Sequence, residues 1–216
     1  MELDSYKTLK QSGSAEIVIK KSRFIGHAAP ATTEEEALEF ITKIRKEHSA
    51  ATHNCFAYII GDRDQFQKQS DDGEPSGTAG KPILEVIKNQ GLKNIAVVVT
   101  RYYGGIMLGA GGLIRAYTEG AVVGIEASQP IFKKLHQEVN VEVDYTWHGK
   151  VENELRNRDM MIKEILFTDK VTLVCLPLAV EAEQFIANMI DFTQGQGNVA
   201  KGEQLYIDHS IHEIIE

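Results

Sequence analysis

The sequence has few cysteines and no long apolar run. It contains two cysteines, Cys55 and Cys175, in 216 residues, which excludes a small secreted scaffold held together by disulfides and predicts free thiols. No apolar run approaches the roughly 20 residues of a membrane-spanning helix. Residues 1–7 lack the apolar segment of a signal peptide. We therefore expect a cytoplasmic protein.

The chain also lacks an excess of positive charge, since its net charge is −8. This sign argues against a general nucleic-acid coat protein. The charge is unevenly spread, because residues 1–129 carry 15 basic and 16 acidic side chains whereas residues 130–216 carry 8 and 15. Residues 79–117 contain five basic side chains and one acidic side chain. The first half of the chain therefore contains a local basic segment.

Apolar periodicity predicts an α+β protein with two domains, residues 1–129 and 130–216. In the first domain we predict strands at 15–20, 21–29, 53–60 and 95–100, helices that begin near Thr33 and Pro82, a third helix over 113–125, and a polar loop at 65–80. Gly120 and Gly124 lie four residues apart on the third helix, which predicts close packing of that helix on the sheet. The second domain reads βαββαβ, the order of a ferredoxin-like fold.

Glycine is concentrated in one region, since nine of the 18 glycines fall within residues 71–117. Eight of them form two loops on either side of the strand at 95–100: the first glycine loop, residues 71–80, and the second glycine loop, residues 103–112. Each loop leads into a predicted helix. Because helix starts expose unpaired N–H groups and a partial positive charge, the two loops together predict a seat for an anion or phosphate.

The first glycine loop and its continuation read DDGEPSGTAGKP. This is not a Walker A motif, because Pro75 occupies the position of the first glycine and Pro82 follows the lysine. Two interpretations remain. The loop is either a rigid turn before a helix, or an anion-binding nest formed by Gly77, Thr78, Gly80 and Lys81.

The second glycine loop follows the sequence RYYGG at the end of the central strand. Arginine and tyrosine together suit phosphate contact and base stacking. In the other interpretation the two tyrosines divide between core and rim, and the arginine pairs with an upstream acid. The candidate residues here are Arg101, Tyr102, Tyr103, Gly104, Gly105 and Arg115.

Several side chains could transfer protons or hold a cation. His53 and Cys55 share one strand face, although a buried structural cysteine is the more ordinary interpretation. Asp71, Asp72 and Glu74 do not match a calcium loop and also fit a solvated acidic segment. We assign no catalytic residue and predict no metal centre and no cofactor.

Three ordered segments carry a resemblance to a known family. They are HNCFAY at 53–58, SDDGEPSGTAGKP at 70–82 and VTRYYGGIMLGAGGLIRAY at 99–117. Together they resemble the signature of the YigZ/IMPACT family, in its bacterial, two-domain form. The resemblance implies a two-layer α/β first domain like domain IV of elongation factor G, with a left-handed crossover, and a second domain like domain V. It provides no catalytic residues to transfer.

The resemblance also implies a role in translational control. Eukaryotic members act in this role by binding a scaffold protein, but they have a different second domain. We keep three hypotheses open. The first is a non-catalytic protein that binds RNA or the ribosome through the glycine loops. The second is an enzyme that acts on a small anionic or phosphorylated substrate. The third is a regulator that binds a protein partner through residues 62–74.

Overall fold

The computed structural model describes residues 3–210. Two compact units contain residues 6–132 and residues 133–207. The first half of the chain contains β1 (Ser5–Leu9), β2 (Gly13–Ile19), β3 (Ser22–Pro30), α1 (Glu34–Glu47), β4 (His53–Ile60), β5 (Phe66–Ser70), α2 (Gly80–Asn89), β6 (Ile95–Tyr102) and α3 (Ala110–Ala127). The second half contains β7 (Pro130–Val143), α4 (Tyr145–Asn157), β8 (Ile162–Phe167), β9 (Val171–Cys175), a short 3-10 turn (Ala179–Glu181), α5 (Ala182–Phe192) and β10 (Asn198–Ser210).

The sheet of the first unit has the strand order β2-β3-β6-β4-β5, and its neighbouring strands are antiparallel. Side chains alternate between its faces, as in any strand. Val97 and Val99 pack with α2 and α3, whereas Ala96 and Val98 pack with α1. The mixed α+β class is therefore confirmed, and α1 adds a layer that the two-layer description does not include.

Glycine brings α3 directly onto the backbone of the sheet. A Cβ atom on Gly26 of β3 would clash with the carbonyl group of Gly120, and one on Gly124 would approach the backbone of Gly26 to 2.6 Å. The close packing that we predicted from the spacing of Gly120 and Gly124 is confirmed. Backbone contact thus fixes the distance between α3 and the sheet.

Strand β5 lies in the segment that we predicted to be a polar loop. Residues 66–70 pair antiparallel with β4 at the edge of the sheet. Their side chains, FQKQS, are almost all exposed, so no apolar alternation marks the strand in the sequence. Backbone hydrogen bonds rather than burial hold β5, and the strand fixes where the first glycine loop begins.

The second unit has the predicted βαββαβ order, formed by β7, α4, β8, β9, α5 and β10. Strand β9 lies between β7 and β8, and β10 also pairs with β7. Its core includes Val141, Leu155, Leu173 and Met189. Strand β7 begins at Pro130 rather than at the alternating residues from Val139 onward. No helix in residues 3–210 combines the length and apolarity needed to cross a membrane.

Candidate anion-binding site

The first glycine loop is folded around the carboxylate of Asp71. Asp71 Oδ1 accepts hydrogen bonds from the N–H groups of Ala79 at 3.0 Å and Gly80 at 2.9 Å, and Oδ2 accepts one from Gly77 at 2.8 Å. Ala79 precedes α2 and offers no capping side chain. The amides that we expected to receive an external anion therefore already bind an anion of the chain itself.

This internal carboxylate is ionised at neutral pH. Burial raises the pKa of Asp71, but the three amide hydrogen bonds outweigh burial, so the pKa lies below its usual value. Thr78 Oγ1 donates to the carbonyl of Pro75 at 2.6 Å, and a Cβ on Gly80 would lie 2.8 Å from the backbone of Ser70. The loop has the contacts of a rigid turn, and an external anion would have to displace Asp71.

Arg101 forms a buried ion pair with an upstream acid. Its Nη1 lies 2.6 Å from Glu74 Oε1, and both side chains are more than nine-tenths buried. Tyr117 donates its hydroxyl proton to the same carboxylate oxygen at 2.8 Å. The guanidinium group lies 5.4 Å from the ring centroid of Phe24 and 5.3 Å from that of Tyr103. Arg101 is therefore a structural cation with a restricted opening to solvent.

The structure does not bring all the sequence-predicted residues to one surface. Side chains alternate along β6, so Tyr102 lies on the α1 face, where its hydroxyl is 2.9 Å from His48 Nδ1. Gly104 approaches the backbone of Lys21 so closely that a Cβ would clash, and Gly105 has a φ of +83°. Tyr103 remains beside Arg101. Of the two interpretations of this segment, the geometry agrees with the second. The two tyrosines lie on different faces, and the arginine pairs with an upstream acid.

The possible proton-transfer and cation residues diverge. The Asp72 carboxylate accepts from Arg45 at 2.8 Å and from the N–H of Asn54 at 2.7 Å. His53 Nδ1 donates to the Asp72 carbonyl at 2.8 Å, and its Nε2 lies 3.9 Å from Glu74. Since Asp71 binds loop amides, the three acids do not converge. Within residues 3–210 no group of three His, Cys, Asp or Glu side chains is arranged for a metal.

Cys55 lacks the environment of a nucleophile. Burial raises the pKa of its thiol to about 12, and the nearby carboxylates add to that increase. Its Sγ donates to the Asp71 carbonyl at 2.9 Å. Because thiolate is the reactive form, this cysteine has a structural role.

The second glycine loop differs from the first at the start of its helix. Helix α3 follows Gly109, whose φ is +68°, and it has neither a capping side chain nor an acid in its first turn. The N–H of Leu113 bonds to Gly109, as the first intrahelical bond. The N–H groups of Ala110, Gly111 and Gly112 precede that bond and have no acceptor among the hydrogen bonds of the described residues.

A cavity of about 470 Å³, which we call the α3 cavity, is lined by Ala110, the first of these three residues. It combines a buried ion pair, a helix start, an aromatic ring and an apolar rim. Its lining residues are Glu74, Pro75, Arg101, Tyr103, Met107, Leu108, Gly109, Ala110 and Leu113. Pro75 and the apolar residues 107–108 were not among our sequence candidates. Residues 107–108 belong to the apolar run IML, which lies within the second glycine loop, and this run is the signal in the sequence that could have identified them.

Lys81, one of the two exposed cations among the sequence candidates, lines a second cavity. This cavity has a volume of about 330 Å³ and is also lined by Gly77, Ile114 and Thr118. Arg115 is exposed on α3, four residues after Gly111 and therefore on the same helix face. Neither cation has an ion-pair partner within residues 3–210. Both are available for anions from solvent.

The fold and this site define a two-domain α+β protein with a glycine-rich helix start in its first domain. The model of the Impact N-terminal domain matches residues 20–125, and that of a domain of unknown function, DUF1949, matches residues 141–196. The IMPACT family member YvyE of Bacillus subtilis is 48% identical over 214 residues, which cover 99% of each chain. YigZ of Escherichia coli is 40% identical over 82% of this chain and 88% of its own. The chain belongs to the bacterial branch of the YigZ/IMPACT family.

Two further comparisons delimit the resemblance. A crystal structure titled only as that of a hypothetical protein is 35% identical, with a TM-score of 0.60, and the match covers 94% of this chain and 99% of that one. Human Protein IMPACT is 37% identical over 98 residues, which are 43% of this chain and 30% of the human protein. The eukaryotic likeness therefore covers less than half of this chain.

Proposed function

We propose that this protein acts in translational control as a non-catalytic, cytoplasmic RNA-binding protein that associates with RNA or the ribosome. The observation that carries the proposal is the unsatisfied start of α3, which lies beside Tyr103 and near the unpaired cations Lys81 and Arg115. Helix amides and cations suit phosphates, and an exposed aromatic ring suits an unpaired base. As part of the same proposal, we expect the two domains to be similar to domains IV and V of elongation factor G.

The first unit is the better candidate for the RNA contact. Residues 130–216 carry a net charge of −7 from 8 basic and 15 acidic side chains, whereas residues 1–129 carry −1 from 15 and 16. Phosphate repels an acidic surface, so the second unit would orient or regulate the protein rather than hold the nucleic acid.

Salt dependence of binding to a single-stranded RNA tests this proposal. Each cation that neutralises a phosphate contributes roughly 0.7 to the slope of log affinity against log salt for single strands. Lys81→Ala and Arg115→Ala should each weaken binding and reduce the slope by about that amount. Lys46→Ala is the matched control, because this exposed lysine lies on α1, across the sheet. Binding that ignores salt and is unchanged in both Lys81→Ala and Arg115→Ala rejects the proposal.

Cross-linking in cells, followed by sequencing of the bound RNA, identifies the partner. The Lys81→Ala/Arg115→Ala double variant is the appropriate control, because Arg101 is buried in an ion pair and its loss would destabilise the fold. Association with a protein that persists after nuclease treatment would instead favour contact through residues 62–74, which include the edge strand β5.

A second candidate function is an enzyme that acts on a small phosphorylated substrate. The specific observation in its favour is that the α3 cavity is concave and contains Glu74, whose carboxylate lies 3.9 Å from His53 Nε2. Incubation with nucleotides and sugar phosphates, followed by phosphorus NMR, tests this candidate. Turnover that disappears in His53→Gln would establish it, and unchanged spectra together with RNA binding would eliminate it.

A further inference from the structure

We propose that the α3 cavity binds one internal phosphodiester of single-stranded RNA, with the phosphate on the first-turn amides of α3 and an adjacent base on Tyr103. This inference rests on the proposed function and assigns it a ligand class and an atomic position. The shared chemistry of RNA and free nucleotides is a phosphate and an aromatic base attached to the same ribose. The charged side chains of the α3 cavity favour one of these two ligands over the other.

The start of α3 supplies the donors. Three consecutive N–H groups, at Ala110, Gly111 and Gly112, precede the first intrahelical hydrogen bond. The helix has 18 residues, so its dipole is well developed, and no acid in the first turn neutralises it. A Cβ on Gly111 would meet nothing within 4 Å, so the space beside Gly111 is open.

Arg101 provides an independent observation that points to a ligand. It is only 6% exposed, and it lines the cavity with Gly109 and Ala110. Its Nε–H has no hydrogen-bond acceptor within the described chain. Buried donors in native structures nearly always have an acceptor. A phosphate oxygen in the α3 cavity would supply one.

The rim of the cavity suits a base. Tyr103 is 47% exposed, and its ring already contacts the guanidinium group of Arg101 at 5.3 Å. Met107 is 83% exposed and, with Leu108, completes an apolar edge. A base that stacks on Tyr103 would cover apolar surface that is otherwise exposed to water.

Glu74 determines which phosphate fits. Its carboxylate lines the same cavity and is balanced by the single positive charge of Arg101. A terminal phosphate monoester carries a charge of about −1.5 to −2 near neutral pH, whereas a diester carries one negative charge. Because the additional charge would be repelled by Glu74, the cavity favours the diester.

The test is an NMR titration of the full chain with the dinucleoside monophosphate ApA, which contains one diester, and in parallel with AMP, which contains one monoester. The amide signals of residues 110–112 and the ring signals of Tyr103 should shift with ApA at lower concentration than with AMP. Equal or stronger binding of AMP would overturn the choice of a diester. Shifts confined to other residues would overturn the site.

Gly111→Glu and Gly111→Gln form a matched pair of variants. A Cβ at Gly111 meets no atom within 4 Å, and the glutamate adds a carboxylate to the first turn of the helix. The Glu variant should bind ApA about tenfold more weakly than the Gln variant, because the carboxylate competes for the amides and repels phosphate. Unfolding measurements on both variants check that the fold is intact.

The outcomes separate this inference from the proposed function. If longer RNA binds the Glu and Gln variants equally but responds to Lys81→Ala and Arg115→Ala, the inference fails and the proposed function stands. If ApA binds at residues 110–112 while longer RNA does not bind, the proposed function fails and the site stands.

Discussion

The two glycine loops have similar compositions but differ in the hydrogen bonding of the helix-start amides. In the first, Asp71 binds the amides at the start of α2, and in the second, the amides at the start of α3 have no partner among the described residues. The difference follows from the positions of acids in the chain. Asp71 lies at the end of β5, within reach of residues 77–80, whereas residues 86–118 contain no acid. A glycine-rich helix start is therefore open to a ligand only where the chain supplies no carboxylate.

The largest expected effect comes from the buried ion pair between Glu74 of the first glycine loop and Arg101 of β6. Arg101→Ala leaves the Glu74 carboxylate buried without its cation, so the free energy of unfolding should fall by about 3–5 kcal/mol. The double variant Glu74→Gln/Arg101→Met removes both charges and should lose much less. Denaturant unfolding of both variants measures this difference. An unfolding midpoint for Arg101→Ala equal to that of the wild type would contradict a buried pair.

Breaking the closed loop should cost less. Asp71→Asn removes the charge and one acceptor oxygen from three amides, so we expect a loss of about 2 kcal/mol, as for hydrogen bonds to charged groups. Asp62→Asn makes the same change of charge where the described chain shows no partner, and it should stay within about 0.5 kcal/mol of the wild type. Equal effects of the two substitutions would mean that Asp71 does not hold the loop.

Acid should open the first glycine loop and leave the second unaffected. The pKa of Asp71 is lowered from its usual 3.8 in the folded protein. Its contribution to stability is therefore full above the unfolded pKa and is lost as the pH falls through the folded pKa. The stability gap between wild type and Asp71→Asn should be widest near neutral pH and should narrow below about pH 4. A gap that widens in acid would reverse the assigned shift.

Alanine at equivalent glycines gives the smallest and sharpest contrast. A Cβ on Gly80 would lie 2.8 Å from the backbone of Ser70, so Gly80→Ala should lose about 1 kcal/mol or more through overpacking. A Cβ on Gly111 meets nothing within 4 Å, so Gly111→Ala should gain about 0.5 kcal/mol from helix propensity. Thermal unfolding of the two variants should shift in opposite directions, and shifts of the same sign would contradict the difference in packing.

Apolar periodicity was sufficient for most of the fold. Strand β4 and the buried part of β6 lie where their continuous apolar runs predicted, and α3 follows its stripe of apolar residues. Strand β5 had no such signal, because its five side chains are almost entirely exposed and only its backbone pairing defines it. Periodicity reports burial, so an exposed edge strand escapes it.

The candidate site was only partly predictable. The alternatives kept for Arg101 and the tyrosines included the observed arrangement, because alternation along a strand places Tyr102 opposite Arg101. That Asp71 binds the amides of Gly77 and Gly80 depends on a tertiary contact across the first glycine loop, and local sequence does not encode it. The α3 cavity depends in the same way on tertiary structure, because Pro75 of the first glycine loop and Leu113 of α3 line it together.

The contact between Gly26 and the paired glycines of α3 has a mechanical consequence. Where Gly26 meets Gly120 and Gly124, backbone lies directly on backbone, so the helix cannot approach strand β3 any further at this point. Even one methyl group at Gly26 would push α3 away from the sheet, and the amides at the N-terminal end of α3 would move with it. If the α3 cavity binds the proposed ligand, its affinity should therefore change on substitution of Gly26, a residue that does not line the cavity.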